Sequence, residues 1–336
     1  MKFATISLDG TDTVAVATTD AEAVVSLPTL YAAAGLGDAS ARLRDLLAQG
    51  PTALAAIADA LAAYPDIAAI PVADVTWRPP IPEPTKVLGV AMNNGRLNDT
   101  AHVPPAGPMF FVKPHNTLVA HGDAIEIYDD YGFTFPELEL GVVIGKTARN
   151  IARTEALDHV AGYTVVNDVT SQGLKAGDSI ATELTSEARA LPGYEEYFTW
   201  RNPKGEEDNT VYLTYHARSK GSDTFGPMGP FVTTKDEVAN PDDLTVRGYA
   251  DGELFTEDTT ARYSYTIEHI VWWASRNFTL NPGDIIMCGT AAKGTEKFPR
   301  AHHDIDVSQI APTIDVDIEG LGRLTNTVTH LARADD

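Results

Sequence analysis

Glu137-Leu-Glu-Leu-Gly-Val-Val-Ile-Gly145 restricts what this chain can fold into more than any other stretch. Side chains two apart on an extended strand share a face, so Leu138, Leu140, Val142 and Ile144 predict one apolar side. Glu137 and Glu139 then open the opposite side, with Cα atoms about 7 Å apart. Two carboxylates held on one face beside apolar surface repel each other unless a cation separates them. Oxygen ligands of this kind suit a hard ion such as magnesium, manganese or calcium. The same residues also fit a half-solvated edge strand with both glutamates facing water, and the stretch alone does not choose between the two.

The rest of the chain sets bounds on that choice. Its 336 residues, 43% hydrophobic and 21% charged, describe a soluble globular protein with one large domain and a smaller one. The formal charge, 25 minus 47 or -22, argues against nucleic acid and anionic membranes as partners. Cys288 is the only cysteine, which excludes an intrachain disulfide and a thiolate zinc cluster and fits a reducing compartment. The start, Met1 to Thr5, has no long apolar core, and no apolar run reaches the length of a membrane span. A cytoplasmic location is the expectation.

In chain order, short β-branched runs at 14–18 and 24–27 predict a small strand pair. Leu43, Leu46 and Leu47 predict a helix capped by Asp38. A second follows Pro51, with Leu54, Ile57, Leu61 and Tyr64 at helical spacing and Pro65 as the stop. These make a small N-terminal α/β domain over residues 1–77. The proline-rich run 78–84 is read as a linker. Residues 85–332 form the main domain. Within it, Lys86–Val90 and Phe110–Lys113 read as strands, Glu155–Val160 as a short helix capped by Thr154, and Gly162–Val166 as a strand ending in Asn167-Asp168. Thr234 and Glu237 have capping-box spacing. Asp251-Gly252 is a hairpin turn signal. Ile267, Ile270, Val271 and Ala274 mark one helix face. Asp315, Asp317 and Glu319 alternate with apolar residues, as on a solvated hairpin face. Residues 178–219, with Tyr194, Tyr197, Phe198 and Trp200, read as a lid, an interface arm or a disordered excursion. Strand content exceeds helix content without regular alternation, so the fold class is α+β and β-rich.

Seven motifs in this order resemble the fumarylacetoacetate hydrolase family over roughly residues 78 to 330. They are Arg78-Pro79-Pro80-Ile81-Pro82 before the Lys86–Val90 strand, Glu137-Leu-Glu139 through Val-Ile-Gly-Lys146, and Gly162-Tyr163-Thr164 through Asn167-Asp168. Lys220-Gly-Ser-Asp223-Thr-Phe225, Pro227-Met-Gly-Pro230, Gly283-Asp284 with Gly289-Thr290, and Gly320-Leu-Gly322 with Leu324 and Asn326 complete them. The resemblance implies a mixed β-roll catalytic domain and a divalent metal, magnesium with manganese or calcium as options, held by Glu137, Glu139 and Asp168. It implies Lys220 near that metal, Thr290 in a substrate-contacting loop, and a homodimer. The implied substrates are small 2-oxo acids and 1,3-dicarbonyl compounds. Three carboxylates fill only part of an octahedral shell and leave room for a chelating substrate.

Two departures from the family pattern bear on the reaction. Where the family commonly places a histidine and a glutamate that activate water, this chain has Leu97 and Thr100, neither of which is a base. Asp99 and His102 lie nearby, and His102 is the candidate acid–base group if the loop is shifted. After Asp168, where the family often has arginine and then glutamine, this chain has Gln172 and Lys175. Glutamine does not replace a bidentate arginine, so the substrate's polar end is expected to differ.

The first functional reading is a metal-dependent hydrolase cleaving a C–C bond in a 2,4-dioxo acid or related β-diketone. The second is a decarboxylase, dehydratase or isomerase acting on a 2-oxo acid, which needs the enolate but not an activated water. The third is a non-catalytic, metal-stabilised binding protein, for which Lys220 and Thr290 would have no use.

Overall fold

A computed structural model describes residues 1–98, 105–183, 185, 187, 190–192 and 210–334. Leu138–Ile144 is a strand with every residue buried, so the edge-strand option falls. It runs antiparallel to Val160–Asn167 on one side and to Ile285–Thr290 on the other. The predicted alternation holds. Leu138, Leu140, Val142 and Ile144 enter one core, and Val143 enters a second.

Among the described residues the larger sheet has 11 strands. Across it run Ile70–Pro71, Ala23–Ser26, Thr11–Ala17, Lys2–Leu8 and Val232–Thr234. Then come Val160–Asn167, Leu138–Ile144, Ile285–Thr290, Val87–Ala91 and Met109–Lys113. Thr76–Arg78 pairs with Lys2–Leu8 beyond Val232–Thr234. The N-terminal strands therefore continue the sheet that carries the Glu137 stretch. The join is reinforced at the chain start. The Met1 ammonium donates to Thr234 Oγ1 at 2.7 Å and pairs with Glu237 Oε1 at 2.9 Å. Thr234 and Glu237, spaced like a capping box, hold the amino terminus instead. The turn they flank is 3-10, and the Thr234 side chain makes no cap bond there.

A second sheet orders Glu253–Thr259, Thr245–Ala250, Thr313–Ile318, Gly322–Leu331 and Ala124–Tyr128, the last pair parallel. Its apolar face, with Val246, Val316, Ile318 and Leu324, packs against the even-numbered face of Leu138–Ile144. Asp315 and Asp317 lie on the other side, where Thr325 and Arg323 reach them. The Ile267–Asn277 helix, capped by the Thr266 side chain, buries Ile267, Ile270, Val271 and Ala274 in the same core. Fully burying side chains of this size contributes about 1.5–3 kcal/mol each, and the fold is β-rich α+β as the pattern predicts.

Local corrections follow from tertiary packing. Arg153–His159 is a 3-10 turn, and its cap position is Ala152 rather than Thr154. The Leu43–Ala48 helix starts at Arg42 and not at Asp38. Within the polar excursion, Ser179–Glu183 and Thr210–Thr214 form a hairpin, and Ala217–Gly221 is a short helix that carries Lys220. Tyr194, Tyr197, Phe198 and Trp200 lie outside the described residues. No described helix is long and apolar enough to cross a membrane.

One buried carboxylate clamps the sheet beside the central strand. Asp284 accepts from Asn281 N at 2.6 Å, Lys86 N at 3.0 Å and Thr85 Oγ1 at 2.5 Å, and pairs with Lys86 Nζ. It thereby ties the starts of the parallel strands Val87–Ala91 and Ile285–Thr290. Asp284→Ala leaves these donors unmet at a buried position, and truncating one partner of such a pair costs several kcal/mol. We expect a loss of about 3 kcal/mol in urea unfolding, with native far-ultraviolet circular dichroism below the transition.

Candidate active site

Strand pairing brings the acidic residues together. Leu138 lies opposite Asn167 in the antiparallel ladder, and just beyond that pair Asp168 N donates to Glu137 O at 2.8 Å. Residues 31 positions apart thus emerge side by side. Across the other neighbour Glu139 faces Thr290. Gly289 there has φ +121°, and its N–H donates to Glu139 Oε2 at 2.8 Å. A Cβ on Gly289 would sit 2.9 Å from the Asn93 Cβ, so the close approach requires glycine. Asn93, buried, donates to Cys288 O at 2.5 Å and accepts from Tyr265 N at 2.9 Å. It straps the loop after Val87–Ala91 onto this strand.

Lys220 reaches the acids from its short helix. Its ammonium donates to Glu137 Oε2 and, at 2.5 Å, to Asp168 Oδ2. It also lies 4.9 Å from the centre of the Phe111 ring, a favourable cation–π position. That ring rests where a Cβ on Gly89 would fall, 2.0 Å from Phe111 Cζ. A second lysine, Lys113, is fully buried behind them. It donates to Phe225 O at 2.5 Å and forms a 2.5 Å ion pair with Asp168 Oδ1. Thr170 donates to Glu137 Oε2 at 2.5 Å.

These contacts split the two glutamates. Burial raises the Glu137 pKa, but the Lys220 charge and the hydrogen bonds from Lys220 and Thr170 outweigh it and hold the value at about 2. Glu139 moves the other way. Burial, then the charges of Asp168 and Glu137, push it well above the ordinary carboxylate range. Burial works against the Lys220 charge as well, yet the three carboxylates outweigh it and raise its pKa. Lys113 is lowered by burial despite Asp168.

Glu137, Glu139, Lys220, Thr290, Gln172 and Lys175 line one cavity of about 440 Å³, and Phe110, Phe111 and Phe135 form an apolar wall. Six of the eight residues singled out from the sequence therefore share one space. Asp168 stands behind them, fully buried. His102 lies outside the described residues, as do Asp99, Thr100 and the Leu97 side chain. A larger cavity of about 520 Å³ lies between the Pro51–Ala63 helix and the sheet and holds none of these groups. Among the described residues no three His, Cys, Asp or Glu side chains stand at metal-ligand spacing; the Lys220 ammonium lies between Glu137 and Asp168. The donor set nonetheless fits a hard divalent ion. Three carboxylates face two ammonium groups, and Glu139 has no cationic partner among the described residues.

Sequence reading did not single out Lys113, Thr170, His216, His302 or His303. The last four also line the cavity. The available signal for two of them was the His302-His303 doublet in the polar run Arg300–Asp304. Nothing local marks Lys113, whose burial depends on contacts 55 and 112 residues away.

Residues 86–329 match the family model described as fumarylacetoacetate (FAA) hydrolase C-terminal. The chain is 32% identical over 247 residues to the mitochondrial oxaloacetate tautomerase FAHD2B of Bos taurus, covering 73% of this chain and 68% of that protein. It is 30% identical over 256 residues to the 4-hydroxyphenylacetate degradation bifunctional isomerase/decarboxylase of Salmonella dublin, covering 75% of this chain. The alignment spans only about half of that relative's length, 48%. The fold is similar to that of the maleylpyruvate hydrolase from Sphingobium sp. SYK-6 solved with manganese(II) and pyruvate. The TM-score is 0.68 and the identity 22%, over 98% of this chain and 99% of that one.

Glu139 gives a test of the charge excess. Its folded pKa lies above the unfolded value, so the group costs nothing in acid, where both states are protonated. It costs stability as pH rises past the ordinary carboxylate value, because the unfolded chain ionises first. Glu139→Gln keeps an acceptor for Gly289 and removes the charge. We expect a higher melting temperature than wild type in chelator at pH 7, with the difference closing toward pH 4 in a thermal scan series.

Proposed function

Because this chain belongs to the fumarylacetoacetate hydrolase family, we propose that it is a divalent-metal-dependent enzyme that converts a small 2-oxo acid through its enolate. The observation that carries this reading is the partly buried Lys220 ammonium, shared by Glu137 and Asp168, on the wall of the 440 Å³ cavity. Glu137, Glu139 and Asp168 would hold the ion, and magnesium or manganese there supplies Lewis-acid polarisation of a keto oxygen. Lys220 stays protonated and adds fixed positive charge where negative charge develops on that oxygen. Thr290 and Gln172 present hydrogen-bonding groups to the cavity, and Lys175 a cation suited to the substrate carboxylate. The phenylalanine wall keeps water away from the reacting carbon and strengthens each of these interactions.

The relatives point to the same substrate chemistry. Oxaloacetate, maleylpyruvate and pyruvate are all 2-oxo acids, and the relatives' activities include tautomerisation, isomerisation, decarboxylation and hydrolysis. Tautomerisation, isomerisation and decarboxylation need enolate stabilisation and a proton transfer, and this group is the reading best supported. The family's water-activating histidine and glutamate are replaced here by Leu97 and Thr100. Hydrolysis of a C–C bond in a 2,4-dioxo acid is the second reading, favoured by the imidazoles of His216, His302 and His303 on the cavity wall, which are groups able to activate water.

The test is a screen of chelator-stripped and magnesium- or manganese-loaded protein against oxaloacetate, acylpyruvates and 2-oxo-3-deoxy sugar acids, read by product mass and by the enol absorbance. Metal-dependent turnover is expected. Two fragments whose summed mass exceeds the substrate by one water would select hydrolysis. Lack of turnover on every substrate at full metal occupancy overturns the proposal. Lys220→Met is expected to lower kcat about 10²–10³-fold, with a smaller change in KM, in steady-state kinetics on the substrate so found.

A further inference from the structure

His302 sits in the 3-10 turn Ala301–Asp304, which follows Thr290 by a dozen residues. Its ring is 1% exposed and lines the same cavity as Glu137 and Lys220. One ring nitrogen, Nδ1, lies 3.1 Å from the Ala291 carbonyl oxygen. A carbonyl only accepts, so Nδ1 carries the proton and donates. In the uncharged ring this leaves Nε2 as a bare acceptor. Nε2 is shielded from bulk water and has no hydrogen-bond partner among the described residues. A buried acceptor left unmet is costly, and in a folded protein it calls for a use. The ring is held in place by Phe135, at 5.5 Å between centroids, and by His303 at 4.1 Å.

We propose that His302 is the catalytic proton carrier of this cavity, with Nε2 taking a proton from the carbon next to the substrate's keto group. This rests on the enolate reading above and adds the group that the replaced histidine and glutamate would otherwise supply. In the forward step the C–H bond breaks and its proton bonds to Nε2. The C–H electron pair becomes the new carbon–carbon double bond, and the C=O π pair moves to oxygen, giving the enolate. The imidazolium then returns its proton to the oxygen to give the enol, or to a carbon of the extended system to give an isomer. Atoms and charge balance with no other reactant. Burial disfavours the charged ring and so keeps it accepting, while the nearby Glu137 carboxylate favours the imidazolium once it forms. The phenylalanine wall and Lys220 hold the substrate against this ring rather than against solvent. His303, half-buried on the same wall, supports the ring's orientation.

The test uses the full chain loaded with magnesium and follows keto–enol conversion of oxaloacetate by its enol absorbance. His302→Asn keeps a donor in the place of Nδ1 and removes Nε2. It is expected to lose about 100-fold of the catalysed rate while the melting temperature and its shift with oxaloacetate stay as in wild type. His302→Ala is expected to regain at least about a tenth of that loss in rate when imidazole is added, a response that a purely structural role would not give. A His302→Asn rate within about threefold of wild type overturns the proposal alone. So does loss of rate confined to His303→Asn, or a His302→Ala enzyme that stays folded and ignores imidazole. If His302→Asn fails to fold, the imidazole response of His302→Ala decides. Absence of any catalysed conversion by wild type of oxaloacetate and of the other screened 2-oxo acids sinks the enolate reading itself, and this inference with it.

Discussion

Everything in the cavity depends on how three carboxylates are kept in one buried place. Unpaired, they would repel and take up protons. Lys220 pairs with Glu137 and Asp168 and Lys113 with Asp168, and the arrangement stops one cation short at Glu139. On the proposed reading, a divalent ion would make up that shortfall at Glu139. The interaction also explains why Lys113 is buried without access to water. A lysine can occupy such a position only beside a carboxylate.

The scaffold's part is to fix these charges without relying on flexible loops. Glu137 and Asp168 stand side by side because two antiparallel strands end in register. Glu139 points at Gly289 because the neighbouring strand turns there through a conformation open to glycine. Lys220 reaches both Glu137 and Asp168 over a phenylalanine that itself rests on Gly89. Groups set by strands and close packing hold their geometry within tenths of an ångström, which is what electrostatic catalysis requires. The N-terminal strands extend the same sheet, and the amino terminus is bonded to Thr234 and Glu237 at the join.

Within that frame the family's shared chemistry and this chain's own specificity sit on different elements. The acids and Lys220 occupy the floor. Gln172 and Lys175 come from the helix after Asp168, and the histidines come from His216 beside the Lys220 helix and from the turn after Thr290. Gln172 stands where the family often has a bidentate arginine, and Lys175, three residues on, offers a point charge rather than a planar fork.

The sequence by itself determined the elements whose cause is local. Alternation at Leu138–Ile144 and at Thr313–Ile318, the helical face of Ile267 to Ala274, and the Asp251-Gly252 turn all appear where the two periodicities and turn chemistry place them. Gathering of Glu137, Glu139, Thr290, Gln172, Lys175 and Lys220 on one cavity was also legible, through motifs kept in order along the chain. Tertiary structure alone decided the rest. It made the Glu137 strand central rather than an edge. It turned Thr234 and Glu237 into an anchor for Met1, buried Lys113 against Asp168, and left one nitrogen of His302 without a partner among the described residues. The physical reason is range. A strand's period repeats within two residues and a helix's within four. Whether a charge is paired or an imidazole is shielded depends on side chains from about fifty to more than a hundred positions away, and on energies that exist only once water has been excluded between them.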